Sequence, residues 1–172
     1  MNQEEVKHTA VRYTAFPPIA GGQPRALILG TFPSPMSRQK REYYGNSQNK
    51  FWRILFDVFG AAYSDDYDVK KRLLTQNGIA LWDVIESCEI VGALDTSIKN
   101  PMYNTSIPVF LAEHKSVAAV LFNGGNAYAF YKRGIGDIPR LVLPSTSPAN
   151  ARYTYEGKLE AWRAALGRWM GR

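Results

Sequence analysis

Two short loops and one aspartate hold the residue types that could do chemistry. The first loop reads Gly30-Thr31-Phe32-Pro33-Ser34-Pro35. It continues into the basic run Arg38-Gln39-Lys40-Arg41 and then Tyr43-Tyr44-Gly45-Asn46-Ser47-Gln48-Asn49-Lys50-Phe51-Trp52. A loop stiffened by glycine and proline presents backbone N–H groups, which suit a phosphate or a developing anion. The cations suit phosphates as well, although a run of this length also serves as a solvated surface. Tyr43 and Tyr44 offer an aromatic platform for a flat ligand. The second loop, Leu143-Pro144-Ser145-Thr146-Ser147-Pro148-Ala149-Asn150-Ala151-Arg152, is tight and rich in hydroxyls. It is built either to pinch a backbone phosphate or simply to turn the chain. Asp83 closes Leu81-Trp82-Asp83, where a capping or solvated carboxylate is the plain alternative to a functional one. Asn49, just ahead of a helical stripe, reads on its own as an N-cap. Asn123, before Gly124 and Gly125, reads as a turn residue.

The elements that must position these residues are legible in outline. Ala26-Leu27-Ile28-Leu29-Gly30 is apolar throughout, the pattern of a strand buried on both faces. Ile79 to Trp82, Val117 to Phe122 and Leu141 to Leu143 are similar, and each ends in residues that break a strand. Gly21 to Pro24 separate a short polar lead from the first of these strands. Helical patterns fill the gaps. Phe51, Leu55 and Val58 form one stripe with Gly60 to end it, and Asp66 to Gln76 is a second with Gly78 beyond. Ser106 and Pro108 are suited to open a third, and Asn126 to Arg133 predict a short fourth. Leu159, Trp162, Leu166 and Trp169 mark the last. Strands alternating with helices, without a hairpin signal, predict an α/β domain over 1–172 with a mainly parallel sheet covered on both faces. Ligands then bind in the loops at the strands' carboxyl ends.

Composition narrows the function. The 172 residues are 45% apolar and 21% charged, which fits a folded chain and excludes a disordered one. Twenty-one Lys and Arg against 15 Asp and Glu give a net charge of +6, so a polyanionic partner, nucleic acid first, is to be expected. A lone cysteine, Cys88, excludes an internal disulfide framework and any cluster held by several thiolates. Two histidines, His8 and His114, argue against an all-protein zinc site. The acidic start, MNQEEV, does not resemble a signal peptide, and no apolar run is long enough to span a membrane. A soluble, intracellular chain is expected. GxxxxGK[ST], GxGxxG, HExxH and GxSxG are all absent, which removes most of the weight from ATP-driven, dinucleotide and zinc-hydrolase chemistry.

The ordered pair of motifs, GTFPS with YYGNSQNKFW downstream and then LPSTSPAN, resembles the uracil-DNA glycosylase superfamily, and within it the hypoxanthine (deoxyinosine) branch. The resemblance runs from about Ala26 to Asn150. It implies a three-layer α/β/α domain around a four-stranded, mainly parallel sheet. It also implies an enzyme that flips a damaged, deaminated base out of DNA and hydrolyses its glycosidic bond. Tyr44 then matches the aromatic that stacks the base, with Phe32 beside it. Asn49 matches a catalytic asparagine, whose neutral amide would orient water rather than abstract a proton. Asp83 stands where uracil-reading relatives contact the base, and it could accept from a purine N–H or serve as a base. Ser145 and Ser147 match the phosphate-pinching motif, with Ser34, Arg38, Lys40 and Arg152 as further phosphate contacts. Arg152 or Tyr153 could fill the gap that the flipped base leaves.

Two departures from the family shape the expectation. Phe32 stands where many relatives activate water with aspartate or asparagine, and Leu143 stands where they carry histidine or asparagine. Both shift catalysis toward Asn49 and the substrate away from uracil. The expected activity is therefore a monofunctional glycosylase for deoxyinosine that leaves an abasic site. A uracil or mismatch-specific glycosylase, or a binding module that has lost the chemistry, are the alternatives. No metal or organic cofactor is implied, and nothing demands more than a monomer. DNA as partner places the chain in the cytoplasm with a bacterial or archaeal nucleoid.

Overall fold

The structure, a computed structural model, describes residues 10–92, 97–131 and 134–170. In chain order the elements are β1 (Ala10–Thr14), β2 (Ala26–Gly30), α1 (Pro35–Lys40), α2 (Phe51–Phe59), α3 (Tyr67–Gln76), β3 (Ile79–Asp83) and β4 (Ile85–Val91). There follow β5 (Lys99–Tyr103), α4 (Ile107–Glu113), β6 (Ala119–Asn123), α5 (Gly125–Tyr131), β7 (Arg140–Leu143) and α6 (Tyr155–Met170). Four of the strands form a parallel sheet in the order β3-β2-β6-β7. Every residue of β2 and β6 is buried, as their unbroken apolar runs predict.

Side chains alternate across this sheet and build a core on each face. Ala26 and Ile28 of β2 pack with Phe51, Ile54 and Leu55 of α2, Leu74 of α3 and Trp162 and Leu166 of α6. Leu27 and Leu29 point the other way, to Ile107 and Phe110 of α4, Ala127 of α5 and Ile85, Cys88 and Ile90 of β4. The helix ends follow local chemistry. Asp66 caps α3 by accepting from the N–H groups of Asp68 and Val69, and Gly60 ends α2 at a left-handed φ of 64° that glycine takes without strain. Among the described residues no helix is long and apolar enough to cross a membrane.

Several features depart from the sequence reading. The polar lead contains β1, which joins β4 and β5 in a second, antiparallel sheet of order β1-β4-β5. One residue, Val84, separates β3 from β4, and its N–H donates to the Gly30 carbonyl at 2.9 Å as the chain passes from one sheet to the other. The basic run lies on α1, a helix opened by Ser34, whose Oγ accepts from the Ser37 N–H. The predicted strand at Val117 starts two residues later, because Val117 still belongs to the turn closed by its N–H on the His114 carbonyl. The helix predicted to Arg133 is α5 as far as Tyr131, and residues 132 and 133 lie outside the described residues, as does His8. His114 ends α4, its ring stacked on Phe110.

Candidate active site

The parallel sheet ends in four residues, Gly30, Asp83, Asn123 and Leu143, and all four line one cleft of about 830 Å³. Strand order reverses between β2 and β6, so this is the switch point at which an open parallel sheet holds its ligand. The first loop supplies Phe32, Ser34, Arg38, Tyr44 and Asn49 to the cleft, and the second supplies Ser145, Ser147 and Arg152. Of the residues singled out in the sequence, Lys40 is the exception. It is exposed on α1, does not line the cleft, and its aliphatic stem passes over Gly45.

Gly30 makes the innermost part of the cleft possible. A Cβ there would stand 2.6 Å from Asp83 Oδ1 and 2.7 Å from the Tyr44 hydroxyl, closer than any side chain tolerates. Asp83 is 4% exposed, and its Oδ2 is buried without a hydrogen-bond partner. Burial alone pushes its carboxyl up to about 7. Its backbone is held from behind by Asn104, whose Nδ2 donates to the Asp83 carbonyl at 3.0 Å. Asn104 is itself fixed by the Tyr131 hydroxyl, which donates to its carbonyl at 2.7 Å.

Tyr44 is set by two contacts. Its ring stacks on Phe51 with centroids 3.9 Å apart and an interplanar angle of 22°, and its hydroxyl accepts from Asn123 Nδ2 at 2.9 Å. These hold a non-glycine residue at a φ of 52°, backbone strain of the kind that gathers at functional sites. Burial and the nearby Asp83 raise the Tyr44 pKa, so its hydroxyl stays protonated. Tyr43 also borders the cleft, but it is 3% exposed and its hydroxyl donates to the carbonyls of Phe16 and Pro17, so it serves mainly the core. Phe32 is half-buried against the core on the other face of the sheet while also lining the cleft.

Asn49 stands one residue ahead of Lys50, the cap residue of α2, and faces two ways. Its Oδ1 accepts from the Phe51 N–H at 3.0 Å at the start of α2, and its side chain lines the cleft. Asn123 is more than the turn residue expected. Its Nδ2 donates both to Tyr44 and to Thr146 Oγ1, and its Oδ1 accepts from the Thr146 N–H at 3.0 Å. The amide thus ties both loops to the end of β6. Thr146 is fully buried, and its carbonyl accepts from the Lys50 N–H at 3.0 Å.

The second loop is braced throughout. Ser145 Oγ accepts from the Ser147 N–H and Ser147 Oγ from the Ala149 N–H. From behind, Trp162 Nε1 donates to the Pro144 carbonyl at 3.0 Å and Lys158 Nζ to the Ser147 carbonyl at 3.1 Å. Arg38 is braced as well, donating to the Pro33 carbonyl at 2.9 Å with its guanidinium 4.5 Å from the Tyr13 ring centroid. Arg152 is exposed at the rim, beside Tyr153 at 43% exposure. Ile90 of β4 and Ile98, just ahead of β5, add an apolar wall. Nothing in the sequence marked Asn104, the partners of Thr146 or this wall, because their roles rest on residues distant in the chain.

A parallel sheet presenting a buried carboxyl, a strained aromatic and two braced polar loops at its switch point defines an α/β domain built to hold a flat, partly polar ligand beside anionic groups. The chain belongs to the uracil DNA glycosylase superfamily, whose model matches residues 17–167. It is 33% identical over 156 residues to the hypoxanthine DNA glycosylase of Methanosarcina barkeri, covering 89% of this chain and 97% of that protein. With the hypoxanthine DNA glycosylase of Methanosarcina acetivorans it shares 35% identity over 154 residues, 88% of this chain and 96% of the relative. A solution NMR structure from Methanosarcina acetivorans, provisionally named a uracil DNA glycosylase, superposes with a TM-score of 0.79 at 31% identity. The match covers 94% of this chain and all of that one.

Proposed function

We propose that this chain is a hypoxanthine DNA glycosylase that hydrolyses the N-glycosidic bond of deoxyinosine in DNA and leaves an abasic site. The observation that carries the reading is Asp83, a buried carboxyl with an unpartnered oxygen in a cleft shared with Tyr44 and Asn49. Hypoxanthine presents an N1–H donor beside its C6=O acceptor. A neutral carboxylic acid meets both groups at once, accepting with one oxygen and donating with the other. As the glycosidic bond breaks, negative charge collects on the departing base, and a donor at its oxygen stabilises that charge where a carboxylate would oppose it. Tyr44 stacks the base, an interaction worth about 1–3 kcal/mol. Asn49 keeps its oxygen on the Phe51 N–H and turns its amide donors toward the attacking water. Ser34, Arg38, Ser145, Ser147 and Arg152 take the flanking phosphates, and Tyr153 on the rim fills the space that the flipped base vacates. The water is the second substrate and no cofactor takes part. DNA as substrate puts the work in the cytoplasm, on a nucleoid.

Single-turnover base release from matched duplexes carrying deoxyinosine or deoxyuridine, with abasic sites revealed by alkali, tests the reading. Hypoxanthine should leave faster than uracil, and Asn49→Ala should slow its release on the order of a hundredfold through loss of the oriented water. Asn49→Asp keeps the acceptor for Phe51 but removes the amide donors, so it should slow release as much while unfolding like the wild type. Uracil release that Asn49→Ala leaves untouched would replace both substrate and residue. No release from either duplex, with DNA binding intact, would make this a binding module.

A further inference from the structure

Lys158 stands in the first turn of α6, and only 4% of it is exposed. Its ammonium donates to the Ser147 carbonyl at 3.1 Å, and it forms no ion pair among the described residues. A buried cation without a counter-charge is costly, and folds usually pair it. Burial and the neighbouring Lys50 both hold its pKa below the ordinary lysine value. A brace for the loop alone needs no charge. Trp162 Nε1 holds the Pro144 carbonyl, Asn150 Nδ2 holds the Ser145 carbonyl at 3.1 Å, and the Asn150 N–H already donates to the Ser147 carbonyl at 3.1 Å. What the hydrogen bonding leaves unexplained is the positive charge.

Its location supplies the explanation. Lys158 lies behind the loop that lines the cleft with Ser145, Ser147 and Asn150, and the Lys50 N–H is bonded to the Thr146 carbonyl of the same loop. The buried ammonium of Lys158 and the backbone of Lys50 thus meet at one loop of hydroxyls, and the two lysine charges repel. A bound anion on the outer side of that loop relieves the repulsion and provides the missing counter-charge. We propose that Lys158 is a positioning residue whose buried charge, acting through the Ser145–Asn150 loop, supplies the attraction with which the loop takes a phosphate of the DNA backbone. The inference rests on DNA being the substrate, as proposed above, but not on which base is removed.

The test is equilibrium binding of a duplex carrying a non-cleavable tetrahydrofuran abasic site, measured by anisotropy over a series of salt concentrations. Lys158→Gln keeps a donor for the Ser147 carbonyl and drops the charge; Lys158→Arg keeps the charge. The glutamine variant should bind about tenfold more weakly at low salt and lose about one unit from the slope of log affinity against log salt, while the arginine variant keeps both. A glutamine variant with the wild-type slope overturns the proposal, since a purely structural lysine moves the thermal midpoint and not the slope. A glutamine variant that fails to fold overturns it too, because the charge would then serve the fold. Failure of the wild type to release hypoxanthine would sink the proposed activity and leave this comparison of slopes standing.

Discussion

In the proposed reaction the chemistry turns on the carboxyl of Asp83, because its protonation decides whether it can donate to a departing base. In the fold it titrates near 7, against an ordinary value of 3.8, through burial alone. The folded pKa lies above the unfolded one, so the fold favours the neutral acid. Stability is therefore full below pH 3.8, declines as the unfolded chain ionises first, and levels off once the folded carboxyl ionises near pH 7. The loss amounts to roughly 4 kcal/mol at neutral pH and above. Asp83→Asn removes it, so urea unfolding should find that variant the more stable at pH 8 and the two much closer at pH 4. The same ionisation acts on the reaction. Base release by the wild type should fall as pH rises through about 7, and Asp83→Asn should lack that limb. A rate that climbs through the same range would identify the carboxylate as the active form and remove the donor from the mechanism.

Elements converge on the cleft because four strands end at one level, but the polar loops need a further tie, and Asn123 at the end of β6 provides it. Its three hydrogen bonds reach Tyr44 and Thr146, residues 79 and 23 positions away. Asn123→Ala leaves the buried Thr146 N–H and hydroxyl without partners, which should cost about 3 kcal/mol in urea unfolding. It should also slow base release, since Tyr44 and the second loop lose their common anchor. Unchanged release well below the melting temperature would limit Asn123 to the fold. The same dependence on distant partners explains what the sequence withheld. Strands β2, β3 and β6 are almost wholly buried, so they read as apolar runs and were legible, and the edge strand β7 was legible through Leu141-Val142-Leu143 although Val142 is exposed. Strand β5 carries Asn100 and Pro101 and is mostly exposed, β4 follows β3 without a turn residue, and β1 finds its partner in a strand some 75 residues away. Helix α1, Pro-Met-Ser-Arg-Gln-Lys, has no apolar stripe and is recognisable only through its Ser34 cap. Tyr44 stood out as an aromatic beside a glycine, but the roles of Asn49 and Asp83 came from resemblance to a family, since an asparagine before a helix or an aspartate after a strand is ordinary on its own terms.

At the scale of the whole molecule, the net charge of +6 and the cleft do separate jobs. On the proposed reading, Arg38 and Arg152 at the cleft, with Lys50 beside it and the buried Lys158 behind its loop, act on a polyanion, and every phosphate neutralised releases condensed counterions. The proposed place of the reacting base is deeper, between Tyr44 and a carboxyl that is 4% exposed, where salt does not screen. Binding and chemistry should therefore answer differently to salt. With about four phosphates neutralised, affinity for an abasic-site duplex should fall about a hundredfold between about 50 and about 200 mM salt. The single-turnover rate with enzyme in saturating excess should stay within about twofold over the same range, because the buried groups that act on the bond keep their environment. Anisotropy titrations and quenched-flow base release on one preparation read both quantities. A rate that falls in step with affinity would mean that surface cations take part in the chemical step itself, moving the electrostatic work from the buried carboxyl and amide to the phosphate-binding loops.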